Sequence, residues 1–438
     1  MALTFATREI ASWGRLNRVS GAVARPASAC DLAVLRKGAP RLAIGAGRSY
    51  GDVGVSGQGQ LLDMTGLDRF IAFDAGTGLV TAEAGITLGQ ILRIMAPRGW
   101  FLPVLPGTRH ATLGGAVAND VHGKNHRRAG TFGRHVEALT LLRSDRGLVT
   151  VTPNTEPELF AATIGGLGLT GVILDVTLRL QPIASTDLEV ETQACYDLDS
   201  LCDGLEASAA GFEHVAAWID CAAPGRALGR GVITRANWAA SGPLEAHSDR
   251  RLTWPTDRPG GLLNTLTLNA FNRAVYVKGA LTAGRRRAPY GPVFNPLDGI
   301  GAWNRLYGPR GFHQHQCVIP RAAGREPIRA MLATIAASGQ GSFLAVLKGF
   351  GDLPSPGLMS FPMEGLTLAL DFPHRGASTL ALLDRLDRIV AEAGGRLYAA
   401  KDARMPRALF EAGHPDLPRF RRALDPACRS DFARRMDL

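Results

Sequence analysis

The sequence predicts a chain of the α+β class with two or three domains. Its 438 residues fit that number at roughly 100–200 residues per domain. Residues 172–181 alternate apolar and polar side chains, which predicts a strand with one solvent-facing side, ended by Pro182. The second half instead alternates strands with helices. We therefore expect a domain boundary at residue 182.

The N-terminal part carries a local signal for each element. Residues 79–83 form an apolar-rich run typical of a strand. The capping box at 87–90 then opens a helix, and residues 135–152 have the pattern of a hairpin. A second capping box, at 155–158, predicts another short helix.

The C-terminal part repeats a strand–helix–strand pattern twice. The last strand of each unit ends on a lysine, Lys348 or Lys401, so both ammonium groups are expected to point to one region. Between the two halves, residues 258–298 combine apolar side chains with three consecutive arginines and are expected to form a mobile loop or lid. The predicted elements of the repeated units are strands 314–319, 342–348, 366–371 and 396–401 and helices 326–338 and 378–393.

The composition is that of a folded chain, with 46% hydrophobic and 20% charged residues. The formal net charge of +10 would attract phosphates, nucleic acid or an anionic membrane surface. The six cysteines show no CxxC pair or zinc-ligand spacing, so neither a disulfide framework nor a metal site is expected. No uncharged run is long enough to span a membrane and the N-terminus does not read as a secretory signal, which predicts a cytoplasmic protein.

Two glycine-rich segments are candidate anion-binding loops. Residues 45–52 follow a short apolar run, and residues 106–120 include a stretch of small side chains at 114–118. Glycine lets the backbone approach a ligand closely, and consecutive N–H groups can cradle a phosphate. An ordinary turn would explain the first segment taken alone, and no Gly-Lys-Ser or Gly-Lys-Thr follows it as in a P-loop.

A basic run comes directly after the second glycine-rich segment. Residues 121–128 read Val-His-Gly-Lys-Asn-His-Arg-Arg and hold two histidines and three cations. An isolated run of this kind is usually a solvated basic loop. Its place beside the glycine-rich segments favours a ligand site instead.

Five runs together resemble the decaprenylphosphoryl-β-D-ribose 2′-oxidase family, within the vanillyl-alcohol oxidase/p-cresol methylhydroxylase class of FAD enzymes. The resemblance extends from about residue 42 to the C-terminus. Its His-Gly-Lys-Asn-His run, in register with the two glycine-rich loops, is highly specific. The five runs are Gly47–Asp52, Pro103–Arg109, His122–His126, Gly168–Gly171 and Leu397–Asp402.

The resemblance implies an FAD-binding (PCMH-type) domain of two subdomains and a substrate domain with an antiparallel sheet flanked by helices. It implies that residues 1–182 form the FAD-binding domain, 183–395 the substrate (cap) domain, and 396–438 a C-terminal segment returning to the FAD-binding domain. The loop at 45–52 has no histidine or cysteine, so FAD is expected to bind non-covalently. The implied cofactor-binding residues are Gly45, Ala46, Gly47, Arg48, Ser49, Tyr50, Gly107, Thr108, Thr112, Gly114, Gly115, Ala118, Asn119, His122, Gly168, Gly171 and Tyr398.

The activity implied by the resemblance is oxidation of a secondary alcohol of a sugar. The expected substrate is the 2′-hydroxyl of a polyprenyl-phosphoryl-β-D-ribose, in the oxidative half of an epimerisation to arabinose for the cell envelope. A separate NAD(P)H-dependent reductase would complete that epimerisation, and contact with the inner face of the plasma membrane stays open. The implied catalytic residues are Lys401, His122 and Lys124, and the implied substrate-binding residues are Tyr50, Lys124, Trp218, Gln316, Lys348 and Lys401. Without the resemblance, Trp218 would be assigned to the core and Lys401 to the surface.

Four positions depart from the family pattern. Ala369 stands where the mycobacterial members carry a cysteine, so inhibitors that trap that thiol are expected to fail here. Thr367, Phe294 and Ala216 replace an asparagine, an aromatic hydroxyl and a serine. These departures leave the flavin motifs intact.

Two other functions compete with this interpretation. One keeps the flavin but takes a soluble aldonolactone or alditol as substrate. Those relatives usually carry a His-x-Gly-Lys pattern near the C-terminus, whereas Lys401 follows Tyr-Ala-Ala, which favours the lipid-sugar branch. The other is a basic nucleic-acid-binding protein, which the dispersed arginines and the lack of RNP aromatics or zinc-finger spacing disfavour.

Overall fold

The computed structural model describes residues 3–35, 39–247, 252–257 and 264–438 and shows an α+β chain. Its strands are β1 (Ala6–Ala11), β2 (Arg18–Ala24), β3 (Arg41–Ile44), β4 (Gln60–Asp63), β5 (Phe70–Asp74), β6 (Leu79–Glu83), β7 (Trp100–Phe101), β8 (Val136–Arg143), β9 (Gly147–Val151), β10 (Val172–Arg179), β11 (Gln181–Pro182), β12 (Asp187–Cys195), β13 (His214–Ile219), β14 (Gly231–Trp238), β15 (Leu252–Thr253), β16 (Gly284–Pro289), β17 (Ile300–Gly301), β18 (Phe312–Pro320), β19 (Ala345–Phe350), β20 (Gly365–Pro373) and β21 (Arg396–Leu397). Its helices are α1 (Leu88–Met95), α2 (Leu113–Ala118), α3 (His126–Ala129), α4 (Pro157–Thr163), α5 (Leu198–Ser208), α6 (Thr265–Leu281), α7 (Tyr290–Phe294), α8 (Glu326–Ser338), α9 (Ala377–Glu392), α10 (Arg407–Gly413), α11 (Leu417–Ala423) and α12 (Asp431–Met436). None of the helices in the described ranges is both long and apolar enough to cross a bilayer.

Two sheets form the N-terminal part. The first has the order β1-β2-β4-β3, and β4 runs parallel to both of its neighbours. The second is antiparallel with the order β5-β6-β10-β8-β9. The hairpin predicted at 135–152 is confirmed as β8 and β9, and the alternating strand predicted at 172–181 is confirmed as β10. The apolar side chains of β10 are buried, while its Arg179 is exposed.

The third sheet is antiparallel throughout, with the order β16-β12-β14-β13-β19-β20-β18-β21. The two strand–helix–strand units predicted in the second half interleave here, because β20 lies between β18 and β19. Helices α8 and α9 pack together on one face, where Leu347, Leu370 and Cys317 are buried in a shared core. The opposite face of these strands is left to line a cavity.

The second predicted capping box is wrong. Helix α4 begins at Pro157, and its N-cap residue Glu156 is left-handed and makes no side-chain capping bond. The hydroxyl of Thr155 lies 2.9 Å from the hydroxyl of Thr152, while Glu158 pairs with Arg419 at 2.9 Å. Both side chains of the expected box therefore have other partners.

The last predicted strand, 396–401, is also wrong at its C-terminal end. Strand β21 ends at Leu397, and residues 399–401 form a 3₁₀ turn. The turn forms because the Lys401 N–H donates to the carbonyl of Tyr398 at 2.9 Å, and the Tyr50 N–H donates to the carbonyl of Ala400 at 3.0 Å. Lys401 thus leaves the sheet and turns toward the N-terminal loops. Likewise, the strand expected from residue 342 begins at Ala345.

Residues 264–298 form regular elements instead of the predicted loop or lid, and residues 258–263 of that prediction lie outside the described residues. The Asn264 side chain accepts from the backbone of Thr267 and so opens α6. The three arginines form β16 because the facing strand β12 presents acidic residues, with Glu189 opposite Arg287 and Glu191 opposite Arg285. The partner charges lie nearly a hundred residues away, so no local pattern reveals them.

The C-terminal residues run back over the N-terminal sheets. The Arg41 N–H donates to the carbonyl of Ala427 at 2.7 Å, and the Asp425 N–H donates to the carbonyl of Leu169 at 2.8 Å. The side chain of Arg143 donates to backbone carbonyls in both regions, those of Thr170 and Ala423. These contacts therefore fix the C-terminal residues to the N-terminal part of the chain.

Candidate active site

A cavity of about 1070 Å³ opens between the N-terminal loops, the large sheet and the C-terminal turn. It exceeds the usual 300–1,000 Å³ of small-molecule sites. Each residue that the sequence suggested for cofactor, substrate or catalysis lines this one cavity. These residues are Gly45, Ala46, Gly47, Arg48, Ser49, Tyr50, Gly107, Thr108, Thr112, Gly114, Gly115, Ala118, Asn119, His122, Lys124, Gly168, Gly171, Trp218, Gln316, Lys348, Tyr398 and Lys401.

The first glycine-rich loop follows β3 and lies flat against its neighbours. Gly47 has a φ of +63°, and a Cβ there would meet no atom within 4 Å, so this backbone faces the cavity. A Cβ on Gly45 would instead lie 2.3 Å from Oγ1 of Thr112. The two glycine-rich segments can therefore meet only because Gly45 has no side chain.

The second glycine-rich segment forms α2. Oγ1 of Thr112 accepts the N–H of Gly115 at 3.2 Å and caps the helix. At the other end, Nδ2 of Asn119 donates to the Gly115 carbonyl at 2.8 Å, while Oδ1 of Asn119 is buried without a partner. Tyr398 donates its hydroxyl to the backbone carbonyl of Asn119 at 2.9 Å, which ties this segment to the C-terminal turn.

His122 lies at the centre of a polar cluster in the cavity wall. Its Nδ1 is 3.1 Å from Nζ of Lys348, and its Nε2 is 3.1 Å from Nε2 of Gln316. Burial and the nearby Lys348 charge hold the pKa of His122 well below its usual value, so the ring is neutral. A neutral imidazole accepts at only one nitrogen. Nδ1 therefore accepts from Lys348 while that amine is protonated and donates to it once the amine is neutral, and the Gln316 amide can serve Nε2 as donor or acceptor.

Lysine is rare in this chain yet concentrated in the cavity. The sequence has five lysines among its 49 lysines and arginines. Lys124, Lys348 and Lys401 all line the cavity. Burial lowers the pKa of Lys124 to about 8 and that of Lys348 to about 7. Because a lysine can lose its proton where an arginine cannot, these positions can switch charge near neutral pH.

Lys401 lies beside two residues that the sequence analysis did not single out, Gln314 and Asp371. Nζ of Lys401 is 4.0 Å from the ring centroid of Tyr50, and Nε2 of Gln314 donates to Oδ1 of Asp371 at 2.6 Å. Burial raises the pKa of Asp371 and lowers that of Lys401, while their mutual attraction opposes both shifts. The signal that could have found Gln314 is its two-residue spacing from Gln316, which puts both side chains on one strand face. Asp371 meets Gln314 only through the pairing of β18 with β20.

The floor of the cavity is a row of side chains across the large sheet. Trp218 faces Val346, which faces Ala369, which in turn faces Gln316. The indole N–H of Trp218 donates to the Phe343 carbonyl at 3.0 Å, so only its ring is free to contact a ligand. The remaining departures from the family pattern, Thr367, Phe294 and Ala216, also line this cavity.

Comparisons with known proteins show the family to which the chain belongs. A family model described as an FAD binding domain matches residues 21–152. The chain is 36% identical to the decaprenylphosphoryl-beta-D-ribose oxidase of Mycolicibacterium smegmatis over 99% of its own length and 98% of that protein. The chain belongs to the decaprenylphosphoryl-β-D-ribose oxidase family. It is therefore an FAD-dependent oxidoreductase, as the sequence analysis predicted.

Two further relatives differ in how much of this chain they match. An uncharacterized Streptomyces coelicolor protein is 38% identical over 81% of this chain and all of that protein. The L-gulono-1,4-lactone dehydrogenase of Mycobacterium tuberculosis is 32% identical over only 37% of this chain and 38% of that protein. The lactone enzymes therefore resemble only part of this chain.

The cavity fits FAD on its own geometry. The backbone at Gly47, Gly107 and Gly168 faces open space, since a Cβ at each would meet no atom within 4 Å. The orphaned Oδ1 of Asn119 is available for a ligand donor. The loop at 45–51 and α2 would hold the pyrophosphate and ring system.

Proposed function

We propose that this protein oxidises the 2′-hydroxyl of a polyprenyl-phosphoryl-β-D-ribose, as the oxidative half of an epimerisation to arabinose. The observation that carries the proposal is the end-to-end similarity to the mycolicibacterial oxidase, which covers 99% of this chain and 98% of that one. The lactone dehydrogenase match covers only 37% of the chain. The substrate side of the cavity therefore has its counterpart in the lipid-sugar enzyme.

The cavity lysines support a substrate that carries a phosphate. Lys124, Lys348 and Lys401 line one cavity, and burial opposes the charge of each. An anionic phosphodiester beside them would favour the protonated forms and bind as their counter-charge. A neutral lactone would leave Lys124 and Lys348 without one, whereas Lys401 already faces Asp371.

The reaction requires hydride removal from C2′ and loss of the hydroxyl proton. FAD, when bound, supplies the hydride acceptor. Lys401, held over the Tyr50 ring, is placed to bind the substrate oxygen as negative charge develops on it. His122 stays neutral and fixes Lys348 and Gln316 on the sugar-phosphate side. Lys401 then acts as an electrostatic anchor when protonated and as a base when neutral.

Two further points, the attachment of FAD and the division into domains, belong to the same proposal. FAD binds non-covalently, because the loop at 45–51 offers no histidine or cysteine for attachment. The domain division is 1–182 for FAD binding and 183–395 for substrate, with 396–438 returning to the first domain. Acid precipitation tests the first point, since a non-covalent flavin stays in the supernatant.

An anaerobic flavin-bleaching assay tests the substrate. Purified protein receives polyprenyl-phosphoryl ribose in one cuvette and L-gulono-1,4-lactone or an alditol in the other. We expect loss of the flavin's visible absorption with the lipid sugar alone. Bleaching only by the soluble sugars would overturn the proposal and assign the chain to the lactone-oxidase branch.

The proposed partners are a separate NAD(P)H-dependent reductase, which would reduce the 2′-keto product, and the inner face of the plasma membrane. Helix α6 borders the cavity through Phe271 and Val275, while Leu266 and Leu281 on the same helix are each 81% exposed. Exposed apolar side chains on a helix that borders the cavity suit contact with the acyl chains of a bilayer. Co-sedimentation with anionic liposomes tests this contact. A protein that stays in the supernatant at low salt would rule out the membrane contact.

A further inference from the structure

The guanidinium of Arg435, on the C-terminal helix α12, joins two buried carboxylates from distant parts of the chain. Its Nε and Nη2 donate to the two oxygens of Asp52 at 2.8 and 2.9 Å. Nη2 also donates to Oδ2 of Asp402 at 2.8 Å, and Nη1 donates to the Met405 carbonyl at 2.7 Å. One side chain thus ties three segments together.

Each of the two carboxylates is next to a residue of the active-site cavity. Asp52 is the last residue of the glycine-rich loop at 45–52, and Asp402 follows Lys401 directly. The backbones of the two segments touch, since a Cβ on Gly51 would lie 1.3 Å from the carbonyl oxygen of Asp402. A shift of either segment would therefore move Tyr50 relative to Lys401.

The charges explain why this contact needs Arg435. Asp52 is 4% exposed and Asp402 is 6% exposed, so water cannot solvate either carboxylate well. Burial already raises the pKa of Asp52, and the neighbouring Asp402 charge raises it further. Without the guanidinium, two like charges would be buried side by side, an arrangement that is relieved only when one carboxyl group is protonated or the two groups move apart. The fork of Arg435 offsets both charges at once.

We propose that Arg435 is a positioning residue that couples FAD binding to the placement of Lys401. A cofactor that holds the loop at 45–51 holds Asp52, and through Arg435 it holds α12 and the turn that carries Lys401. Coupling of this kind is reciprocal. Docking of the C-terminal helix strengthens FAD binding, and FAD binding strengthens docking of the helix by the same factor.

Flavin affinity of the full-length protein tests the first half of the coupling, and it needs no substrate. The variants are Arg435→Gln, Arg435→Lys and Asp402→Asn. The control is Arg419→Gln, because Arg419 also bridges two carboxylates but faces solvent. We expect FAD to bind about tenfold more weakly to Arg435→Gln, with partial recovery in Arg435→Lys. The control should stay within about twofold of the wild type. Asp402→Asn, which keeps the side-chain volume, provides the measurement if Arg435→Gln does not fold.

Trypsin cleavage at residues 429–435 of the wild-type protein tests the second half. We expect FAD to slow this cleavage, and to slow it less in Asp402→Asn. Wild-type flavin affinity in folded Arg435→Gln and Asp402→Asn would overturn the proposal, and so would cleavage that is indifferent to FAD. The effect on turnover rests on the proposed function: with FAD saturating, kcat should fall in Arg435→Lys while KM for the lipid sugar changes little. A failure of lipid-sugar oxidation alone leaves the flavin-affinity result standing, so the two proposals are tested separately.

Discussion

At the scale of single residues, Lys348 is a cavity side chain whose charge changes near neutral pH. Burial lowers its pKa to about 7, with the charges of Lys124 and Lys401 contributing. The protonated form, which binds a phosphate, dominates below that pH and is lost above it. We expect KM for the lipid sugar to rise above pH 7, up to about tenfold per pH unit as the charged fraction falls.

The variant Lys348→Arg is the matched test, because a guanidinium keeps its charge throughout this range. We expect KM in this variant to stay nearly constant between pH 6 and 7.5, below the range in which Lys124, with a pKa of about 8, loses its proton. If the wild-type pH dependence persists in Lys348→Arg, the titrating group is another residue.

Lys401→Met separates substrate activation from cofactor binding. Methionine keeps much of the aliphatic volume over the Tyr50 ring but removes the amine. We expect FAD content to stay unchanged while the rate of flavin reduction falls about 100-fold or more, the usual cost of losing one electrostatic or proton-transferring group. Stopped-flow reduction measures this rate, and Lys278→Met on the exposed side of α6 is the control. Normal reduction in Lys401→Met would remove this lysine from the mechanism.

Ala369 predicts resistance to thiol-directed inhibitors. Of the six cysteines, all in the described ranges, five are buried elsewhere and Cys30 is exposed, and none lines the cavity. Mass spectrometry after treatment with such an inhibitor should show no adduct at the site and no loss of activity. The variant Ala369→Cys should form the adduct and lose activity, since position 369 lies in the cavity floor beside Gln316. Inactivation of the wild type would contradict the assignment of this strand face.

Sequence reasoning found those site residues that lie in short, continuous motifs. The residues 45–50, 107–119 and 122–124 each form one run, and the resemblance of these runs to one family marked them. Gln314, Asp371 and Arg435 were missed for a physical reason. The first two meet only through the register of β18 and β20, and the third acts through contacts across more than three hundred residues.

At the scale of elements, α6 is held on the large sheet by one buried polar contact. Nδ2 of Asn272 donates to Oδ1 of Asp220 at 2.8 Å, and Arg230 donates to the other oxygen of Asp220. We expect Asn272→Ala to cost about 1–3 kcal/mol, the range for losing a hydrogen bond to a buried group. Because Phe271 and Val275 on the same helix line the cavity, KM should rise while flavin affinity stays constant.

Thermal unfolding and steady-state kinetics of Asn272→Ala check these two outcomes, and Thr282→Ala at the exposed end of α6 is the control. A variant with lowered stability but an unchanged KM would show that α6 does not shape the substrate side of the cavity.

The elements that were predicted correctly differ from the mispredicted ones in the sequence range of the interactions that form them. The helix at α1 and the β8–β9 hairpin were predicted because a capping box and a tight turn act over a few residues. The region 264–298 was mispredicted because β16 depends on acidic partners in β12. The end of β21 depends in the same way on a hydrogen bond to Tyr50, which lies near the other end of the chain.

At the scale of the whole molecule, one core connects the parts that surround the cavity. It includes Val53 and Leu169 from the N-terminal part, Leu347 from the large sheet, and Phe432 and Met436 from the C-terminal helix. A chain of this length commonly unfolds in steps, domain by domain. Here the shared core and the Arg435 contacts argue for a single step, because no one part can leave without exposing apolar side chains of the others.

We therefore expect flavin release and loss of secondary structure to occur at the same temperature when the holoenzyme is heated. Since FAD binds only the folded state, excess FAD should raise that temperature, by the equivalent of about 2.7 kcal/mol at a hundredfold excess over its Kd. Flavin fluorescence and far-UV circular dichroism, followed on one sample, measure the two events. In Arg435→Gln the flavin should leave first, because the link between the glycine-rich loop and the C-terminal helix is cut. Flavin release well below the main transition in the wild type would show that the cavity opens without global unfolding.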